Sequence, residues 1–326
     1  MKPIPTLGAL AALTILVAAC SASGSAGTVP PLEPTPDPSV GLGSPDLTPA
    51  PSESIPPSSE PSGSPQASPA SPAPTSDDTT IVRAYFYLPG TPGDAGLGSE
   101  GLVPVLRDVA ATKAVATAAM TALLAGPTGS ERGAITSSIP AGTRLLGLSI
   151  KDGVATVDLS SEFESYSNIE STYISLSQVV YTLTQFPTVK SVVFEMEGEK
   201  VSVFGSFGIV FYGPVDRHDY LGLLPTIFID RPAYDAALGN PAHLTGSAQA
   251  LFEATFRVTL IDAAGRTIFD EMQMADCFCE SGAIDITVAY DVSKAQWGTL
   301  RVWAGSPKDG SPIHVREYPV WLTPRS

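Results

Sequence analysis

The sequence predicts an α+β chain, with a mixed sheet carrying two helices on one face followed by an all-β immunoglobulin-like sandwich. Three observations carry this expectation. Strand and helix signals alternate between about residues 79 and 212, strand signals alone run from about 225 to 322, and residues 21–78 lack the residues that a core needs.

In the first block, Ile81–Leu88 is β-branched and aromatic, and Leu102–Val109 reads as a second strand in which Pro104 implies an edge or a bulge. Thr112 is placed to cap a helix over Lys113–Ala125, which Gly126-Pro127 would stop. Leu145–Ile150 and Val154–Leu159 flank Lys151-Asp152-Gly153, a hairpin signal. A second helix is predicted over Ser171–Phe186, because Leu176, Val179, Val180 and Leu183 share one face, and Pro187 ends it. Val189–Met196 and Val201–Phe204 then pair around Glu197-Gly198-Glu199. In the second block Phe252 to Leu260 alternates apolar and polar residues, as do Ile284 to Tyr290, and Leu300–Ala304 and Ile313–Leu322 complete a set of short strands at sandwich spacing. The domain organisation expected is 1–20 signal peptide, 21–78 linker, 79–212 first domain, 213–226 connector and 227–326 second domain. A protease should cut first between residues 205 and 226.

The start of the chain points outside the cytoplasm. Lys2 precedes an apolar run, Leu7–Ala19, of signal-peptide length and too short for a comfortable membrane span. It ends in Val17-Ala18-Ala19-Cys20, which resembles the lipobox of bacterial lipoproteins, so Cys20 is the expected lipid attachment and the anchor to the membrane. The tail after it holds 15 of the 31 prolines, seven acidic residues, no basic ones and no aromatic ones. Such a segment cannot bury enough apolar area to offset its ordering entropy and acts as a spacer. The net charge is −15 overall and −9 over Thr79–Ser326, which argues against nucleic-acid binding and against electrostatic docking on anionic lipid. Of three cysteines, Cys277 and Cys279 remain once Cys20 is lipidated. They form a candidate disulfide in an oxidising compartment, against two free thiols, an intermolecular bridge or half a metal site.

Several stretches together resemble the GerMN domain of sporulation and germination proteins: Ala122-Leu123-Leu124-Ala125-Gly126-Pro127-Thr128, Ile139-Pro140-Ala141-Gly142-Thr143, Lys151 to Ser160, and Val180 to Pro187. The second block, through Phe252-Glu253-Ala254-Thr255-Phe256, Gly298-Thr299-Leu300 and Lys308 to Pro312, is similar to its immunoglobulin-like companion Gmad2. The resemblance implies a non-enzymatic envelope protein whose first module is similar in fold to modules that pack side by side.

The residues themselves point the same way. His218, His243 and His314 all lie outside the first block, which excludes a Ser-His-Asp or Cys-His site within it. Asp158, Glu162, Glu164 and Glu170 read as solvated acids before they read as an acid/base pair. The glycines from Gly90 to Gly101 lack a following Gly-Lys-Ser/Thr and read as a hairpin loop. Asp216, His218 and Asp219 lack the further ligands of a metal site. Neither a metal nor another cofactor is expected. Candidate contacts for a ligand or partner are Tyr166 and Asn168, equally readable as helix-entry structure, and Trp297 and Trp303, which with Trp321 and Tyr318 could instead fill a sandwich core. The partners expected are the membrane through the lipid, and an envelope protein or a second copy of the chain. Cell-wall glycan or peptide is the alternative, and nucleic acid is excluded.

Overall fold

The computed structural model describes residues 79–90 and 98–325. Residues 1–78, with Cys20 and the whole predicted spacer, lie outside the described residues. The first block contains β1 (Thr79–Leu88), β2 (Gly101–Ala110), α1 (Val115–Leu124), β3 (Leu145–Lys151), β4 (Val154–Leu159), α2 (Ile169–Leu183), β5 (Ser191–Met196), β6 (Glu199–Lys200), β7 (Val203–Phe204) and β8 (Ile209–Val210). The second contains β9 (Ile227–Arg231), β10 (Ala237–Leu238), β11 (Ala242–Ala248), β12 (Thr255–Ile261), β13 (Thr267–Met274), β14 (Gly282–Val288), β15 (Gln296–Gly305) and β16 (Pro312–Leu322).

The α+β order and the following sandwich are as the sequence predicts. In the first block β3-β4-β5-β6 form a mixed sheet with β4 and β5 parallel. Asp152 and Gly153 both take positive φ, as a tight two-residue turn between antiparallel strands requires. Leu176, Val179, Val180 and Leu183 are fully buried. In the second block β10-β16-β15-β12-β13 face β14-β11-β9 across a core built from Phe256, Val258, Leu260, Leu300, Val302, Tyr318 and Val320.

Four local expectations are corrected. Thr112 does not cap α1: its Oγ1 accepts from Ala114 N–H (3.0 Å), and the helix starts at Val115 without a side-chain cap. The second helix begins at Ile169 rather than Ser171, because Asn168 Oδ1 accepts from Ser171 N–H (2.7 Å) as its N-cap. Val203–Phe204 pair with Ile209–Val210 in a separate ribbon, while Val201 alone bonds back to Phe194. Phe252 and Ala254 precede β12 in a 3-10 turn, where Ala254 N–H donates to Leu251 O.

β1 and β2 form a two-stranded ribbon separate from the mixed sheet, and both of its outer edges are covered by other means. The β1 edge is covered by side chains of α2 and its C-terminal end. Arg83 N–H donates to Gln185 Oε1 (2.8 Å) and Gln185 Nε2 donates back to Arg83 O (2.7 Å). Tyr85 N–H donates to Thr182 Oγ1 (3.1 Å), and Gln178 Nε2 donates to Tyr85 O (2.9 Å). Residues 178, 182 and 185 lie at i, i+4 and i+7, so one helical face stands where a third strand would pair. Beyond the helix, Tyr87 exchanges both backbone bonds with Thr136.

The β2 edge is covered from the second block. Tyr234 N–H donates to Pro104 O (2.9 Å), which suits a proline on a strand edge. The fully buried Arg316 of β16 donates from Nη1 to Ser99 O (2.7 Å) and from Nη2 to Leu102 O (2.8 Å) and Gly101 O (3.3 Å). Residues 213–226 are packed as well. Val215 bridges to Val192, a 3-10 turn spans His218–Leu223, Tyr220 and Leu224 are buried, and Thr226 N–H reaches Gly98 O. The connector expected to be a first protease target is therefore bound on both sides.

Candidate functional site

Most residues singled out from the sequence are held by structural bonds. Tyr166 packs against Phe163 and Phe204, and its phenol lies 2.5 Å from Ser175 Oγ. Asn168 is the α2 cap. Among the acids, Asp158 Oδ1 accepts from Gly198 N–H, Glu164 Oε1 accepts from Gly205 N–H, and Glu162 lies 3.9 Å from Arg144. Asp216 Oδ1 accepts from His218 N–H, and Asp219 Oδ2 accepts from Asp216 N–H, a self-locking turn. His243 pairs with Asp285 (2.6 Å). Among the described residues no three His, Cys, Asp or Glu side chains converge as metal ligands. Cys277 and Cys279 are joined as a disulfide with Cα atoms 5.4 Å apart, and Phe278 between them is exposed.

The tryptophans take two different places on the outer face of the five-stranded sheet. Trp297 stands opposite Trp321, edge to face at 5.3 Å, and is half exposed. Trp303 lies six residues further along β15, about 20 Å away, beyond the Arg301–Glu317 ion pair. Its Nε1 donates to Thr259 Oγ1 (3.3 Å) and its ring receives the Arg257 guanidinium at 5.9 Å. Tyr318 alone of the four aromatics is a core residue. Around Trp303, a shallow groove of about 240 Å³ is lined by Thr255, Phe256, Arg257, Met272, Gly305 and Gly310. Met272 and Met274 on the edge strand β13 are 66% and 64% exposed.

A second concentration of functional groups lies at the seam between the blocks, and the sequence reading missed it. Arg217 stacks on the rings of Tyr181 (4.6 Å) and Tyr85 (5.4 Å). Its Nε donates to Thr184 Oγ1 (2.8 Å), and its Nη2 donates to Tyr85 Oη and Tyr181 O (3.2 Å each). The Tyr85 phenol donates in turn to Asp230 Oδ1 (2.5 Å). Burial and the neighbouring Asp230 carboxylate push the Tyr85 phenol pKa up, so it stays a donor throughout the physiological range. Asp230 is aimed there by its backbone: opposite β11 the register slips between Thr245 and Gly246, leaving Asp230 as the extra residue of a bulge. Gly246 is required at that bulge, because a Cβ would sit 1.9 Å from Phe228 O. The signal available in the sequence was a lone acid ending the apolar run Ile227-Phe228-Ile229.

Residues 84–202 match the Germane family model, described as sporulation and spore germination. Residues 226–311 match Gmad2, the immunoglobulin-like domain of bacterial spore germination. No curated protein matches the chain. Among solved structures, the first GerMN domain of the sporulation protein GerM from Bacillus subtilis is 22% identical, covering 43% of this chain and 100% of that one with a TM-score of 0.36. The tandem GerMN domains of the same protein are 15% identical, covering 76% and 62% with a TM-score of 0.36. A Clostridium perfringens protein thought to be a lipoprotein is 21% identical, covering 47% and 98% with a TM-score of 0.31. With its two matched stretches in this order, the chain carries a Germane module of the sporulation and germination type followed by a Gmad2 immunoglobulin-like module.

Proposed function

We propose that this protein is a lipid-anchored, non-enzymatic assembly module of the cell envelope. In this reading Cys20 carries the lipid, residues 21–78 hold the folded part off the bilayer, residues 79–212 and 227–326 are the two modules, and residues 213–226 connect them. The observation that carries the reading is the composition of the outer face around Trp303. Exposed Met272 stands beside Trp303 and Arg257, exposed Met274 follows it along the edge strand, and exposed Phe252 and Phe278 lie at the same end of the sheet. Aromatic residues, methionine and arginine are the residue types that protein interfaces concentrate. Among the described residues no helix is long and apolar enough to cross a membrane. Three of the four clustered acids have structural partners: Asp158 and Glu164 accept from backbone N–H groups, and Glu162 faces Arg144 at 3.9 Å.

A photo-crosslinking residue at Met272 in living cells tests this, with one at Lys151 as the control. Discrete covalent adducts to an envelope protein or a second copy, specific to position 272, are expected. Equal labelling at both positions would sink the interface. Cys20→Ala should abolish incorporation of a fatty-acid analogue, and labelling that persists in the variant would refute the anchor.

The alternative, a cell-wall glycan or peptide ligand, is favoured by one observation: Trp297, held edge to face against Trp321, is left half exposed on the outer face, where a sugar could stack. Sedimentation with purified peptidoglycan that Trp297→Ala abolishes would favour it.

A further inference from the structure

We propose that the seam between the two modules is a binding site for an α-amino acid, recognised by its ammonium and carboxylate groups on a single carbon. The cleft measures about 420 Å³ and is lined by Arg217, Tyr181, Phe228, Asp230, Thr245 and Ser281 among others. That volume falls in the range of small-ligand sites, which favour domain interfaces. Arg217 Nη1 has no protein partner among the described residues, while its Nε and Nη2 are committed and its guanidinium rests against two tyrosine rings that also touch each other. Asp230 Oδ2 is likewise unpartnered. Both groups touch the same phenol oxygen, so a rigid cation and a rigid carboxylate stand one hydroxyl apart at the cleft wall. A ligand carboxylate on Arg217 and a ligand ammonium on Asp230 would each gain a charge-assisted hydrogen bond. The phenol takes Nη2 and Oδ1, so a ligand must reach Nη1 and Oδ2, the other atoms of the same two groups, and a compact zwitterion offers both charges to them. The strand bulge that turns Asp230 out of register and the glycine it demands are devices that re-aim a side chain. The site does not depend on the outer face of the sheet or on the lipid anchor.

The α-amino acid could be free or carried on a longer arm of a larger molecule, and the probes separate these sources. Isothermal titration of the full chain in detergent would use glycine, and acetate and methylammonium as its single-charge halves. It would also use 6-aminohexanoate, which has the same charges far apart, and Nε-acetyllysine, whose α-amino acid sits on a long arm. Glycine or Nε-acetyllysine is expected to bind at least about tenfold more tightly than each of the three controls, the loss of one charge-assisted bond. A preference for Nε-acetyllysine over glycine indicates the arm-borne source. Absence of binding for both up to about 10 mM, or equal binding of acetate, overturns the proposal, and neither outcome requires a variant to fold. Asp230→Asn should weaken the amino acid at least about tenfold and leave acetate unchanged. An unchanged amino-acid affinity in a variant with unaltered circular dichroism also overturns it.

Discussion

The two edges of the β1–β2 ribbon meet the same requirement with different chemistry. Each presents strand carbonyls, and on β1 also N–H groups, that must be paired if buried. The β1 edge meets neutral amides and a hydroxyl from α2 and the residue just beyond it, Gln178, Thr182 and Gln185, within the Germane module. The β2 edge meets a guanidinium from β16 of the second block, with no carboxylate paired to it among the described residues. Neutral partners made locally stabilise one module. A charge brought from the other module makes the two modules one body, because Arg316 cannot leave the edge without stranding both itself and its three acceptors.

The largest expected effect breaks the β2 edge. Arg316→Met keeps the apolar stem and removes the donors, leaving three carbonyls unpaired, and should cost about 3 kcal/mol or more of stability. Urea unfolding followed at the two modules should separate into two transitions, and trypsin or thermolysin should cut faster within residues 213–226, where Tyr220 and Leu224 are buried. A single coincident transition with unchanged protection would mean that the shared core, including the Tyr181–Phe228 contact at 6.3 Å, suffices to couple the modules. Breaking the β1 edge should cost less. Gln178→Leu leaves Tyr85 O unpaired and should cost about 1–3 kcal/mol, with both modules still unfolding together. Separate transitions in this variant would remove the distinction drawn between the edges.

How far these edges were legible in the sequence follows from which residues repeat. The apolar stripe Leu176, Val179, Val180 and Leu183 recurs with helical period, and it is buried. Gln178 and Thr182 follow the same period but are polar, and polarity on a helix ordinarily means solvent, so their role toward β1 was invisible. Arg316 did leave a trace: it alternates with Tyr318, Val320 and Leu322 on the inward side of its strand, where a charge is expensive without partners. What could not be read was that those partners come from residues more than two hundred positions away. Asp230 was hidden for a third reason, since a bulge breaks the period-two rule by which strand faces are assigned.

A second arginine contact sharpens the comparison by pH. Arg107 of β2 has the carboxylate that Arg316 lacks: its Nη1 lies 2.8 Å and its Nη2 2.6 Å from the two oxygens of Glu131. Burial pushes the Glu131 carboxyl up, and the hydrogen bonds from Arg107 and Thr128 together with the guanidinium charge more than reverse this, so its pKa is lowered. A carboxyl with a lowered folded pKa contributes stability that is present above the ordinary glutamate value of about 4.3 and is lost as pH falls toward the folded value. Glu131→Gln should therefore flatten the acid limb of the stability profile, measured as urea midpoints across that range. Arg316→Met should lower the whole curve without changing its slope there. An unaltered acid limb in Glu131→Gln would assign it to other carboxylates.

The disulfide loop supplies the smallest effect and the control. Cys277 and Cys279 enclose a single residue, so linking them removes little entropy from the unfolded chain, and the stabilisation should be about 1 kcal/mol or less. The loop follows β13 and precedes β14, on the far strands of the sandwich from either ribbon edge. The double variant Cys277→Ser, Cys279→Ser should therefore keep one unfolding transition, the parent's rate of cutting within residues 213–226 and the pH profile of the parent. Intact mass after alkylation without reductant checks the premise: no alkyl group should add at Cys277 or Cys279 in the parent chain. Two added groups there would mean free thiols, and a covalent dimer on a non-reducing gel would mean that the pair bridges two copies. If the double variant instead uncoupled the modules, the coupling assigned to Arg316 would have to be shared with this loop. The exposed pair His218–Glu280, 4.0 Å apart and joining the connector to the residue after Cys279, would then be the first contact to remove.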